Sequence, residues 1–159
     1  MISKKSQIAD KKDNILNAKG LRFGIVLSKF NHNITYNLFN GAKSTLLDAG
    51  VKPKDIIVKE VPGAFELIFG SKIIAQNNVD AIICIGSIIE GETKHFDYIC
   101  QSVSLGIKDL NILLDIPVVF GVLTDHTLKQ AKDRSGGKYG NKGSDAAVTA
   151  INMAKLARI

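Results

Sequence analysis

The 159-residue sequence has no long hydrophobic run and only two cysteines. No apolar stretch approaches the roughly 20 residues that a membrane-spanning helix needs; the longest, over residues 81–89, includes Gly86 and Ser87. The N-terminus lacks the apolar segment and small-residue cleavage site of a secretory signal. Cys84 and Cys100 form no CxxC or Cys/His metal pattern, so we interpret them as buried residues. We therefore expect a soluble protein of the reducing cytoplasm, with no membrane partner.

Motifs of several enzyme classes are also missing. The sequence contains no HExxH, no paired carboxylates and no His/Cys set with metal-ligand spacing, and we expect no metal. It contains no Walker loop, no GxGxxG and no GxSxG nucleophile elbow. Any chemistry must therefore come from residues that the fold brings together.

The net charge of +6 could indicate nucleic-acid binding, but its distribution argues against this. Residues 1–20 carry +3, residues 21–125 carry −2 and residues 126–159 carry +5. A duplex binder spreads Lys and Arg along one face to neutralise many phosphates, and the middle of this chain offers no such stripe. We expect no nucleic-acid partner; the C-terminal basic cluster fits a small anionic ligand or, more commonly, a solvated surface.

Strand and helix patterns alternate four times along residues 21–159. This alternation predicts one α/β domain with a four-stranded parallel sheet and helices on both faces, which is a three-layer α/β/α sandwich. Residues 1–20 are predicted to be a polar N-terminal arm. The predicted strands are 21–28, 56–61, 81–87 and 117–123, and the predicted helices follow Asn31 or Asn33, Pro62, Thr93, Thr127 and Ser144.

The carboxyl ends of these strands are where a ligand site is expected, because loops and helix N-termini converge there in open parallel sheets. These ends carry residues 28–31, 60–66, 86–95 and 124–126. Phe30 would be exposed at a polar rim, an unusual place for an aromatic ring unless something stacks on it. The backbone of residues 91–93, at a helix start, offers N–H groups to an anion.

His95 is the candidate for proton transfer. It is predicted in the first helical turn after Thr93, at the end of the third strand. A histidine can take up and release a proton near pH 7. A histidine in a first turn is more often a surface or capping residue, so position alone leaves the two interpretations even.

Five blocks in this order resemble the lumazine synthase family of riboflavin biosynthesis, over about residues 21–159. The resemblance implies condensation of 5-amino-6-(D-ribitylamino)uracil with 3,4-dihydroxy-2-butanone 4-phosphate to 6,7-dimethyl-8-ribityllumazine, phosphate and water. It implies a transferase with a flavodoxin-like fold and no metal or redox cofactor. The blocks are 29–31, 61–66, 91–98, 120–124 and 133–143.

The resemblance also implies roles for individual residues. His95 matches the proton-transfer residue, and Phe30 matches the aromatic that stacks on the pyrimidine. Lys142 falls where the family keeps a lysine near the substrate. The residues that match the walls of the ribitylaminouracil pocket are Ala64, Phe65, Glu66, Ser87, Ile88, Ile89 and Phe120, and those that match the phosphate site are Glu92, Thr93 and Arg134.

Each of these residues also has an ordinary structural explanation. Phe65 and Phe120 could be core residues, and Arg134 could be a solvated charge on a short basic helix. It is the ordered set that favours the functional interpretation. Two positions depart from the family's pattern: Lys29 stands where many relatives carry arginine, and residues 67–68 stand where many have a proline. Neither position is assigned to the reaction, so these changes bear on substrate affinity more than on reaction type.

Assembly is a further implication of the resemblance. In the family an N-terminal segment extends a neighbour's sheet within a pentamer, and residues 10–20 are the candidate strand here. Phe30 and Phe120 would then come from different chains around one pocket. A pentamer and a 60-subunit shell both remain open, and riboflavin synthase is a further partner that the resemblance suggests.

Two rival functions belong to other classes. A receiver-like regulatory module needs acidic residues after the first strand to hold a metal, and Ser28–Phe30 supplies none. A non-catalytic flavin or lumazine binder, or a container protein on the same fold, needs the same stacking pocket, and composition does not separate it from the enzyme.

Overall fold

The computed structural model describes residues 16–159, in which strands and helices alternate along the chain. Single turns of 3₁₀ helix at Pro53–Asp55 and Ala75–Asn77 precede and follow the second strand–helix unit. The strands are β1 Phe23–Ser28, β2 Ile56–Val61, β3 Ala81–Ile89, β4 Val118–Asp125, β5 Ser135–Gly137 and β6 Gly140–Asn141. The helices are α1 His32–Asp48, α2 Leu67–Ile74, α3 His95–Leu113, α4 Leu128–Arg134 and α5 Lys142–Leu156.

Strands β1 to β4 form one parallel sheet in the order β2-β1-β3-β4. The register pairs Phe23 of β1 with Ile56 of β2 and with Ala81 of β3. Strands β5 and β6 form a separate antiparallel pair in the glycine-rich segment. The predicted four-stranded parallel α/β sheet is therefore confirmed.

Alternate residues of the central strands feed two cores, one on each face of the sheet. Ile25 and Ile83 point into the core formed with α1 and α5, whereas Val26 and Ile82 point into the core formed with α2 and α3. All four are fully buried. This explains why β1 and β3 read as continuous apolar runs, and it establishes the three-layer arrangement.

Helices α1 and α5 approach each other closely at Gly143. A Cβ atom added to Gly143 would lie 1.9 Å from the carbonyl oxygen of Leu38 in α1. Asn141 fixes the same junction: its Oδ1 accepts from the N–H of Gly143 at 2.8 Å, and its Nδ2 donates to the carbonyl of Asn37 at 2.8 Å. The glycine-rich segment therefore forms a turn and also allows α1 and α5 to pack closely.

The sequence placed two helix starts too early. Helix α2 begins at Leu67, and Pro62 lies outside it, because the chain first passes through a bend after β2. Helix α3 begins at His95 with Lys94 at its N-cap, although Thr93 Oγ1 still accepts from the N–H of His95 at 3.3 Å.

Strands β3 and β4 extend two residues beyond their predicted ends. Ile88 pairs with Thr124, and Ile89 pairs with Asp125. The polar character of residues 124 and 125 hides this pairing in the sequence. The longer ladder carries both strand ends further toward the candidate site.

Part of the predicted N-terminal arm contacts the domain. Ala18 is buried, and its N–H donates to the carbonyl of Ala49 at 2.8 Å. Residues 16–20 form no strand, and the rest of the candidate added strand, residues 10–15, lies outside the described residues. Within residues 16–159 no helix is long and apolar enough to cross a membrane.

Candidate active site

A cavity of about 690 Å³ opens at the carboxyl ends of β1, β2 and β3, and we call it the Phe30 cavity. Three segments that follow these strands line it, together with the first two turns of α3. Nine of the predicted site residues meet here: Phe30, Ala64, Phe65, Glu66, Ser87, Ile88, Ile89, Thr93 and His95.

Phe30 presents an exposed ring at the rim of the Phe30 cavity, as the sequence predicts. Its relative exposure is 68%. The turn after it depends on Asn31, which adopts a left-handed conformation with φ of 55°. Asn31 was predicted as a candidate helix cap, but its side chain makes no cap hydrogen bond to α1. Instead its Nδ2 donates to the carbonyl of Ser87 at 2.9 Å and ties the turn to β3.

The other walls of the Phe30 cavity combine apolar surface with a few polar groups. Phe65 is 52% exposed beside the buried Ala64, so it is not a core residue. The Ser87 hydroxyl oxygen is buried, with no hydrogen-bond partner among the described residues. Leaving a buried hydroxyl without a partner costs free energy of folding.

His95 is exposed as the first residue of α3 and lines the Phe30 cavity. Glu92 is exposed in the loop before it and does not line the cavity. The next residue, Phe96, packs its ring against His126, with the centroids 6.0 Å apart. His95 therefore stands at the mouth of the cavity, where a bound molecule could exchange a proton with it.

A second cavity, of about 760 Å³, runs along β4, and we call it the Phe120 cavity. Phe120 is 42% exposed in it, although it lies in the middle of a strand. Arg134 and Lys142 line the same cavity. An exposed ring beside two cationic side chains suits an anionic, partly planar ligand or a partner surface.

Arg134 is slightly more exposed than Lys142, and both acidic and aromatic side chains surround it. Its Nη1 donates to the carbonyl of Gln130 at 3.2 Å, and its guanidinium carbon lies 5.2 Å from the centre of the Tyr139 ring. Asp125 Oδ1 lies 3.7 Å from the same Nη1. Burial raises the pKa of the Asp125 carboxyl, and the charges of Arg134 and His126 limit that rise.

Lys142 is held from the opposite wall of the Phe120 cavity. Its Nζ donates to Asp145 Oδ2 at 2.9 Å, one turn along α5. Asp145 is buried, so the pair is partly shielded from solvent. The two cations of this cavity thus enter from different helices.

No residue of the described range 16–159 lines both cavities. The cavities adjoin where Phe96, from the Phe30 cavity, packs against His126, from the Phe120 cavity. The chain therefore brings most predicted residues to the Phe30 cavity, and places Phe120, Arg134 and Lys142 separately.

Sequence reasoning did not name some residues that line these cavities. Phe96 and Ile99 were predicted only as the apolar face of a helix, and Gly63 only as part of a helix start. Asp125 and His126 were noted at a strand end but given no role. Their position at the end of β4 was the available signal. Among residues 16–159 no group of three or more His, Cys, Asp or Glu side chains could hold a metal ion.

The order of the strands and the helices on both faces of the sheet define a flavodoxin-like α/β protein, and two cavities lined by exposed aromatic rings are its candidate ligand sites. The family model for 6,7-dimethyl-8-ribityllumazine synthase matches residues 20–158, and the chain belongs to this family.

Curated relatives agree over most of the chain. A 6,7-dimethyl-8-ribityllumazine synthase of Flavobacterium johnsoniae is 56% identical over 91% of this chain and 77% of its own. A 6,7-dimethyl-8-ribityllumazine synthase of Porphyromonas gingivalis is 55% identical over 89% of this chain and 88% of its own length. A 6,7-dimethyl-8-ribityllumazine synthase of Cytophaga hutchinsonii is 46% identical over 96% of this chain and 97% of its own length.

Proposed function

We propose that this protein condenses 5-amino-6-(D-ribitylamino)uracil with 3,4-dihydroxy-2-butanone 4-phosphate, at a site completed by two copies of the chain. Its family and its relatives, which carry the name of the lumazine product, support the reaction. It is the penultimate step of riboflavin biosynthesis, and the protein is a transferase. No observation favours the alternative of a non-catalytic binder.

The observation that carries the two-copy site is the division of the predicted residues between two open cavities. Phe30 and His95 line one, and Phe120 and Arg134 line the other. In the single chain Phe30 is 68% exposed and Phe120 is 42% exposed. A head-to-tail contact between copies would cover both cavities at once, and such contacts close into rings.

The Phe30 cavity is proposed to hold ribitylaminouracil. The exposed face of Phe30 stacks on the pyrimidine ring, and Phe120 of a neighbouring copy closes the other side. The ribityl chain and the uracil edge meet Ala64–Glu66 and Ser87–Ile89, where the Glu66 carboxylate supplies a polar contact.

The phosphate of the second substrate is proposed to lie between the loop before α3 and Arg134 of the neighbouring copy. Glu92 and Thr93 lie directly before the N-terminus of a 19-residue helix, where free backbone N–H groups favour anions. The planar guanidinium binds phosphate with two parallel hydrogen bonds, which orients the ketone as well as holding it. Lys142 adds a second positive charge from the same cavity.

His95 is proposed to move protons between the two bound substrates. The 5-amino group attacks the ketone and loses water to give an imine, phosphate then leaves, and ring closure with loss of water completes the lumazine. Each step takes a proton from nitrogen or carbon or gives one to a leaving oxygen, which an imidazole can do. Alignment of the two substrates supplies much of the rest, on the order of 7–11 kcal/mol.

The assembly is proposed to be a homo-oligomer, a pentamer or a 60-subunit shell built from pentamers. Strand β2 is an edge of the sheet within residues 16–159. Ala18 packs on its own domain, so residues 10–15 of a neighbour, the rest of the predicted strand, are the candidate to pair with this edge. We expect the assembly to work in the cytoplasm, with riboflavin synthase as a candidate partner because it would use the lumazine product.

The test is to mix the purified protein with both substrates and to follow lumazine absorbance and phosphate release together. We expect the two signals to rise in equal molar amounts. Binding of ribitylaminouracil without phosphate release would favour the non-catalytic binder, and no response to either substrate would contradict the assignment.

A further inference from the structure

Asp125 is a buried carboxylate beneath the proposed phosphate-binding arginine. It ends β4, is 6% exposed and lines the Phe120 cavity. Its Oδ1 lies 3.7 Å from Arg134 Nη1, which is beyond hydrogen-bond distance. Its Oδ2 is buried and has no hydrogen-bond partner among residues 16–159.

This geometry differs from that of a structural ion pair. A buried pair stabilises a fold only when its geometry is good and its remaining lone pairs are satisfied. Here one carboxylate oxygen lacks a partner, and Arg134 donates to the Gln130 carbonyl instead. The carboxylate therefore costs folding free energy, while its charge acts on a guanidinium that remains 32% exposed to the cavity.

We propose that Asp125 is a positioning residue that acts through Arg134 as a built-in competitor of the phosphate group. Its negative charge partly neutralises the guanidinium, so that Arg134 holds the phosphorylated substrate without retaining the inorganic phosphate that the reaction releases. The inference rests on the proposed function, because that function assigns Arg134 to the phosphate.

The charge balance around Asp125 depends on groups from several elements. Arg134 on α4 and His126 after β4 favour its ionised form, and His126 in turn contacts Glu90 from the end of β3. Lys142 and Asp145 pair with each other along α5, and both line the same cavity. Since burial raises the pKa of Asp125, the carboxyl takes up a proton at higher pH than a solvated aspartate does, and protonation removes its competition.

The experiment compares the binding of sulfate and of inorganic phosphate to the assembled wild-type protein and to Asp125→Asn, which keeps the side chain's shape and removes its charge. We expect both anions to bind roughly tenfold more tightly to the variant at pH 7.5. The KM for the butanone phosphate should fall, with the KM for ribitylaminouracil unchanged. Sulfate does not titrate between pH 5 and 8, and the ratio of the two proteins' sulfate affinities should approach one as pH falls.

Two further variants make the result specific. Asp109→Asn removes a charge from α3, where Asp109 pairs with Lys108 and does not line the Phe120 cavity, so anion affinity should change less than twofold. Asp125→Ser removes the same charge as Asp125→Asn. The serine variant is used in the same measurement if the asparagine variant does not fold.

The Arg134→Ala background separates the two proposals. If Arg134→Ala alone leaves the KM for the butanone phosphate unchanged, the phosphate site of the proposed function is wrong. If that KM rises, the asparagine substitution should have no effect on anion binding in the Arg134→Ala protein. The role of Asp125 is overturned if Asp125→Asn binds anions no more tightly than wild type, or if its effect persists without Arg134.

Discussion

At the scale of single residues, the candidate chemistry depends on side chains that the fold leaves exposed. Phe30, Phe65 and Phe120 keep about two fifths to two thirds of their surface accessible, although Phe30 follows the buried strand β1 and Phe120 lies within β4. An isolated exposed ring is ordinary, but three at the edges of two cavities mark a binding surface. His95 lies among them.

Replacing His95 with alanine tests the proton-transfer role. We expect kcat to fall by about 100-fold or more, because general acid–base catalysis typically contributes that much, with smaller changes in either KM. His32→Ala is the matched control: its ring stacks on Tyr36 with centroids 4.1 Å apart and lines neither cavity. Steady-state kinetics that show equal kcat in both variants would remove His95 from the mechanism.

The two cysteines should differ in reactivity. Burial raises the pKa of Cys84 to about 12, and its Sγ lies 3.0 Å from Ser71 Oγ in the core beneath α2. Because the thiolate is the reactive form, we expect a thiol reagent at pH 8 to label the half-buried Cys100 first and Cys84 only after unfolding. Peptide mass mapping measures this, and equal labelling rates in the native protein would contradict the buried core position.

At the scale of elements, the sequence predicted which helices and strands exist better than where they end. Apolar periodicity located the buried faces of α1 and α3, because burial selects the side chains there. Boundaries near the site were wrong by a few residues: α2 starts at Leu67 after a bend at Pro62, and β4 continues through Asp125. At these ends the side chains line the cavities instead of packing in the core. Helix propensity and apolar periodicity therefore do not predict where the element ends.

The division of the site between two cavities has the same physical origin. The resemblance named Arg134 and Phe120, yet nothing in local sequence shows that β4, an edge strand of the sheet within residues 16–159, and the following helix α4 carry these two residues away from Phe30. Strand order depends on long-range pairing. The sequence likewise predicts Asn31 as a helix cap. Asn31 does occupy the N-cap position of α1, but its side chain donates to the carbonyl of Ser87 instead of capping the helix.

Gly143→Ala tests the close packing of α1 on α5. The added methyl would overlap the Leu38 carbonyl, and a backbone atom cannot move aside as a side chain can. We expect a loss of about 3 kcal/mol in the free energy of unfolding, measured by urea denaturation.

Gly91→Ala is the control for this substitution, because a Cβ atom there meets nothing within 4 Å. Its unfolding free energy should change by about 0.5 kcal/mol or less. Equal stability of the two alanine variants would show that α1 and α5 are further apart than described.

At the scale of the whole molecule, the central claim is that one copy of the chain contains two halves of different active sites. His95 and Phe30 line one cavity, and Arg134 and Phe120 line the other. In the proposed head-to-tail assembly, each half would join the complementary half of a neighbour. A separated monomer would then bind ligands weakly and turn over slowly, with its fold intact.

Complementation between two inactive variants tests this claim most directly. His95→Ala damages one half and Arg134→Ala the other, and the two proteins are co-expressed so that they form mixed assemblies. With equal, random mixing, about a quarter of the sites unite two undamaged halves. We predict that the mixed assemblies recover about a quarter of wild-type activity at low butanone phosphate concentration. Activity no higher than the mean of the two separate variants would contradict a site shared between copies.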